Sequence, residues 1–276
     1  MGRRRRRRHG CGGRTALSPG GRAPRVVDSH AHLDSCDVDV ADVIDEARQA
    51  GVDRVVTIGV GERSSRWAVE TAEAHDEVWV AVGVHPNDAN AWTDADATWI
   101  RELAAHPRVV AIGECGLDYY RDHATREAQD RAFRAQIRLA GELGLPLVIH
   151  TRDATADTLA RLESEAAGRP VILHCFSITE PEFVDRVIDA GWYASFAGPL
   201  TYRRNDALRE AAARIPAERL LVETDSPYLA PEPRRGRPNR PANVAHTLTR
   251  LAEVRGLTID EADALTTANA ARVFGW

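Results

Sequence analysis

His30, His32, Glu114, His150, His174 and Asp225 are imidazoles and carboxylates spread along most of the chain, yet each stands towards the carboxyl end of a short apolar run. Nitrogen and oxygen donors without thiolate suit Zn²⁺, Mn²⁺, Co²⁺ or Fe²⁺, and Mg²⁺ less closely, and the chemistry they could carry is metal-assisted hydrolysis. His30 and His32 lie two residues apart, so on a strand they face the same side and can reach one ion together. His85 closes a further apolar run. Any one of these histidines reads equally well as a hydrogen-bonded core residue. Together they favour a metal site, because in an apolar interior each polar group would otherwise need its own partner. The remaining histidines, His9, His75, His106, His123 and His246, fall in tail, loop or helix contexts and read as surface or capping residues.

All 36 basic residues are arginine. With no lysine there is no Schiff base and no carbamylated lysine to bridge two metals, so any bridging ligand must be a carboxylate. Cys11, Cys36, Cys115 and Cys175 show neither zinc-ribbon pairing nor the density of a disulfide scaffold, which suits a reducing, cytoplasmic setting. Cys115 and Cys175 directly follow proposed ligands, so strand alternation should turn them to the opposite, helix-facing layer; both read as core.

Eight apolar runs must position the polar residues: 25–32, 52–60, 78–86, 109–118, 145–152, 170–177, 191–198 and 219–227. Amphipathic stretches at about 39–50, 64–75, 94–105, 124–143, 154–167, 180–190, 205–213 and 241–255 alternate with them, and a last one covers 259–273. Eight strands each followed by a helix imply an α/β fold, a single-domain (β/α)8 TIM-type barrel over 26–276, whose strand ends converge on one mouth. A doubly wound open sheet is the alternative, with fewer strands expected.

Residues 1–25 carry nine arginines and no acid, lack apolar periodicity, and read as a disordered Arg/Gly/Pro-rich tail or as a start placed too early. No apolar stretch follows the arginines, as a secretory or twin-arginine signal would require, and no run is long enough to cross a bilayer. Residues 26–276 hold 27 arginines against 41 acids, a balance of −14. A broad nucleic-acid surface is usually basic, so this body argues against extended duplex binding and leaves room for a confined site where metals supply the positive charge.

The segments DSHAHLD (28–34), VGVHP (82–86), IGECGLDYY (112–120), LVIHTRDA (147–154), ILHCFS (172–177) and LVETDSPYLAP (221–231) resemble, in order and spacing, the TatD family of metal-dependent hydrolases, from about residue 26 to the C-terminus. The resemblance implies two divalent ions (Mg²⁺, Mn²⁺ or Zn²⁺): His30, His32 and Asp225 on one, His150 and His174 on the other, Glu114 bridging. It implies a deoxyribonuclease acting on single strands or DNA ends through a metal-activated hydroxide. Asp225, a ligand beside that water, is the candidate general base, and His85, not an assigned ligand, is expected to orient the phosphate or donate to its oxygen, with a purely structural role as the alternative. In the loop after the last motif, relatives tend to carry an acidic residue where Arg240 stands, whereas Arg235, Gly236, Asn239, Pro241 and Asn243 match. Arg235, Arg237, Asn239 and Arg240 are expected to contact substrate, the last by bidentate bonding to phosphate, with a solvated arginine loop at the barrel rim as the equal alternative. Acyl hydrolysis, such as removal of D-amino acids from tRNA, is the alternative chemistry on the same site. A non-catalytic barrel is disfavoured because every proposed ligand is present. A monomer is expected.

Overall fold

Parallel strands cannot be joined by a tight turn, so each β-branched run needs a crossover, and an amphipathic helix that covers the sheet supplies it. The computed structural model describes residues 25–276, so the tail expected over 1–25, with His9 and Cys11, lies outside the described residues apart from Arg25. Strands and helices alternate as β1 (Val26–Ala31), α1 (Val40–Gln49), β2 (Val52–Ile58), α2 (Glu62–Ala74), β3 (Val78–Val82), α3 (Asp94–Ala104), β4 (Val109–Asp118) and α4 (Arg126–Leu143). The series continues as β5 (Leu147–Arg152), α5 (Thr155–Glu165), β6 (Val171–Leu173), α6 (Pro181–Asp189), β7 (Tyr193–Phe196), α7 (Asp206–Arg214), β8 (Leu220–Val222), α8 (Val244–Arg255) and a ninth helix, α9 (Ile259–Phe274).

The eight strands pair in sequence order, all parallel. Closure comes from a bridge between Ala31 and Ser226, where the His32 N–H donates to the Ser226 carbonyl (2.7 Å) and the Asp225 N–H to the His30 carbonyl (2.9 Å). The expected (β/α)8 barrel is thus the fold, and the open-sheet alternative falls. Each strand contributes inward side chains to one apolar plug, among them Val27, Val56, Ala81, Val110, Val148, Ile172, Tyr193 and Leu221. Ala270, Val273 and Phe274 of α9 pack against it and cap the barrel end opposite the ligands. Outward residues such as Val26, Val55, Val80, Ile112 and Leu147 join the helices in the larger core.

Strand limits differ from the apolar runs where the site begins. β3, β6 and β8 stop early, so His85, His174 and Asp225 stand on the loops just beyond them, while β4 runs four residues past Glu114 to Asp118. Between Ile112 and Cys115 the β4 register against β5 slips, so three steps on β4 face two on β5. Both flanking residues still point outward into the helix layer. The extra residue is a bulge that turns Glu114 into the mouth.

Gly116 makes the close approach beside this bulge possible: at φ +140°, an added Cβ would lie 2.0 Å from the His150 carbonyl oxygen. Gly144, which ends α4 at φ +70°, has open space around it. Gly144→Ala is therefore expected to cost about 1 kcal/mol in urea unfolding, the strain of a left-handed residue alone. Gly116→Ala should cost clearly more, because β4 and β5 must part. Equal losses would contradict the close approach.

Candidate metal centre

The two Glu114 oxygens face different groups of histidines. Oε2 lies 3.5 Å from His30 Nε2 and 3.6 Å from His32 Nε2. Those two nitrogens are 3.4 Å apart, and Asp225 Oδ1 stands 3.7 and 3.4 Å from them. These separations exceed a good hydrogen bond. They match the roughly 3.4 Å edge of a tetrahedron whose donors sit about 2.0–2.1 Å from a central ion. Glu114 Oε2 and His30 Nδ1 are buried without a hydrogen-bond partner. A divalent cation would satisfy the first of these, so the donor set fits a metal.

On the other side, Glu114 Oε1 is 2.8 Å from both His150 Nδ1 and His174 Nε2, which are 3.4 Å from each other, and 3.6 Å from His85 Nε2. Here the atoms have closed onto hydrogen bonds. Burial lowers the His174 imidazole's tendency to hold a proton, yet the Glu114 charge outweighs this and pushes it well above the ordinary value. Glu114, raised by burial alone, is held well below the carboxylate range by His174, His85 and His150.

Around these atoms lies a set of polar residues that the motif reading did not single out. Asp28, fully buried, accepts from the Thr224 N–H (2.9 Å), the Thr224 hydroxyl (2.6 Å) and the His30 N–H (3.3 Å), tying β1 to the segment after β8. Burial raises its carboxyl to about 8. Asp118 Oδ2 meets His150 Nε2 at 3.1 Å; burial opposes ionisation, but the bond to His150 holds Asp118 at about 2. Glu223 Oε1 lies 3.3 Å from His174 Nδ1 and accepts from the Cys175 N–H. Two buried glutamines of α4 clamp the backbone: Gln129 bonds both backbone groups of Asp118, and Gln136 both of Val84, next to His85. Period-two alternation was the available signal for Asp28 and Asp118, which share a face with His30 and Glu114 two and four residues away; Glu223 lies past the end of β8, where alternation gives no signal.

His85 Nδ1 accepts the Asn87 N–H (3.1 Å), which leaves Nε2 to carry the proton, and burial lowers the ring to about 4. His85 therefore presents a neutral N–H donor to the site. Asp225 sits in the left-handed region at φ +57°, held by its bond to the His30 carbonyl. Burial would raise its carboxyl, but His32 keeps it below the usual range.

Three expectations need correcting. Cys115 is core, but Cys175 is not: β6 has already ended, alternation no longer applies, and at φ +44° the Cys175 backbone turns its N–H to Glu223 beside the site. Asn239 is wholly buried and binds protein rather than facing substrate, donating to the Thr224 and Tyr228 carbonyls and accepting from Arg240 N and Asn243 Nδ2. Arg240 pairs with Asp37 and with the Asn239 carbonyl, which fastens the loop after β8 to the loop after β1 instead of leaving a free phosphate fork. Arg235 is exposed and seated over the Tyr202 ring at 4.2 Å, and Arg237 is exposed.

A profile of the family described as TatD related DNase matches residues 27–275. An uncharacterized metal-dependent hydrolase, YabD, from Bacillus subtilis is 41% identical over 252 residues, covering 90% of this chain and 98% of that protein. A 3'-5' ssDNA/RNA exonuclease TatD from Citrobacter koseri is 42% identical over 240 residues, covering 85% and 92%. The crystal structure of YJJV, a TatD homolog from Escherichia coli K12, superposes with a TM-score of 0.86 at 26% identity, covering 92% of this chain and all of that one.

The Asp28 crosslink yields a stability test. Asp28→Ala removes the acceptor of the His30 and Thr224 N–H groups and of the Thr224 hydroxyl and should cost about 2–4 kcal/mol in chemical denaturation, whereas Asp28→Asn, which keeps one acceptor oxygen for the two N–H groups, should cost markedly less. A loss below about 0.5 kcal/mol for Asp28→Ala would contradict the crosslink.

Proposed function

The chain belongs to the family of TatD-related DNases, and from that membership we propose that this metal-dependent hydrolase is a phosphodiesterase trimming single-stranded or frayed DNA ends. The division of the two Glu114 oxygens between two donor groups is the observation that carries the reading. His30, His32 and Asp225 would hold one divalent ion, His150 and His174 another, with Glu114 shared. Bound there, the ions supply Lewis acidity, polarising a phosphoryl oxygen and acidifying a water molecule.

The chain's own groups do the rest. Asp225 has 12% of its side chain exposed against 2% for Glu114, so of the two carboxylates it is the one that meets water and takes the proton from the attacking molecule. His85, neutral with Nε2–H directed inwards, donates to a phosphoryl oxygen. Asp118 holds the ring of His150 in orientation from behind, and the Glu223 carboxylate lies 3.3 Å from the Nδ1 of His174. The acidic balance of the body keeps long duplex tracts off the surface and favours ends reaching into the mouth. Relatives named as ssDNA/RNA exonucleases support cleavage of phosphodiesters over acyl transfer to water.

Single-stranded oligonucleotides labelled at either end, incubated with Mn²⁺, should be shortened by the wild-type protein. Asp225→Asn should lower kcat by about 100-fold or more, and His85→Ala by roughly 10²-fold, as expected for loss of a proton acceptor and of one donor. Identical digestion by wild type and His150→Ala, or none by either, would overturn the reading.

A further inference from the structure

Tyr120 and Tyr228 are two of the few large hydrophobic side chains left exposed among the described residues, at 59% and 55%. Both stand at the mouth, on opposite sides of Glu114. The Tyr228 ring meets His32 edge to face, with centroids 5.9 Å apart. Its backbone is held by the Asp225 carbonyl (2.8 Å) and by the buried Asn239 amide (2.8 Å), so an open aromatic face is presented on a rigid support. Nothing among the described residues bonds its hydroxyl. Tyr120 follows Asp118, the partner of His150, and its N–H donates to Asp118 Oδ1 (3.0 Å). The guanidinium of Arg152 lies 3.8 Å above the Tyr120 ring. Arg152 is two residues beyond His150 on β5, is exposed, and has no carboxylate within ion-pair distance among the described residues.

An exposed aromatic next to one donor group and an unpaired, ring-seated cation next to the other form a pair of contacts for what flanks the reacting phosphate. Resting on the phosphodiesterase reading, we propose that Tyr228 stacks the base of one nucleotide beside the reacting phosphate and Arg152, seated on Tyr120, binds the adjoining phosphate. Stacking on a tyrosine face requires a base free of its complement, so Tyr228 is a residue that selects unpaired strands. Asn239 acts as its positioning residue. The buried amide bonds the Tyr228 carbonyl, which gives the matched Asn239 position a task in substrate selection without touching substrate.

The test compares steady-state cleavage of a fully based single strand with that of the same strand carrying an abasic residue beside the terminal phosphate. Stacking of about 1–3 kcal/mol per base corresponds to at least about a five-fold change. Tyr228→Leu should raise KM on the based strand by that factor with kcat little altered, leave the abasic strand unaffected, and be rescued by Tyr228→Phe, which keeps the ring. Arg152→Gln should raise KM on both strands and flatten the salt dependence. An unchanged KM for Tyr228→Leu, an equal penalty on both strands, or an Arg152→Gln variant indistinguishable from wild type overturns the proposal. Wild-type cleavage that ignores the abasic position defeats this inference alone, whereas a wild type that cleaves neither strand defeats it together with the phosphodiesterase reading.

Discussion

A carboxylate with 2% of its side chain exposed, set among five imidazoles at the end of a barrel, is the constraint on which the rest of the molecule depends. A buried charge without compensation costs several kcal/mol, so Glu114 demands positive charge on both of its oxygens. The barrel brings the ligands that would hold such charge from several strands at once, His30 and His32 on or beside β1, His150 on β5 and His174 after β6, while His85 after β3 faces Glu114 as a neutral donor. The bulge in β4 and the glycine approach to β5 exist where Glu114 must turn inward. Apolar packing fills the opposite end of the barrel, closed by α9, so the polar mouth is built on a rigid floor.

Precision comes from residues that touch no ion. Asp28 binds the backbone of both segments that carry the first donor group, and Asp118 and Glu223 stand behind His150 and His174. Gln129 and Gln136 lend side-chain amides to backbone groups left unpaired where strands give way to loops. Arg240 with Asp37, and Asn239 with the Thr224 and Tyr228 carbonyls, do the same for the long loop after β8. Each donor is thereby fixed before an ion or a substrate arrives, which lets electrostatic stabilisation act without reorganisation.

The barrel was legible because its signals are local: β-branched runs alternate with helical periods, and Gly144 and Gly256 end α4 and α8 where an end is expected. The ligands were legible because imidazoles at the ends of apolar runs have few other uses. What escaped depends on tertiary contact. Asp28, Asp118 and Glu223 look like ordinary polar alternation until the partner across the barrel is known. Asn239 and Arg240 sit in a loop whose sequence suggests a phosphate contact, and only the fold shows that a buried amide and Asp37 claim them. Cys175 escaped because alternation was extended two residues past the end of β6.

The sharing of Glu114 between two ion sites is the central claim, and metal stoichiometry tests it most directly. Equilibrium dialysis against Mn²⁺ followed by elemental analysis should give two ions per chain for the wild type, and next to none for Glu114→Gln at the same free concentration, because both sites lose a ligand together. A Glu114→Gln protein that still retains one ion per chain, or a wild type that saturates at one, would contradict it.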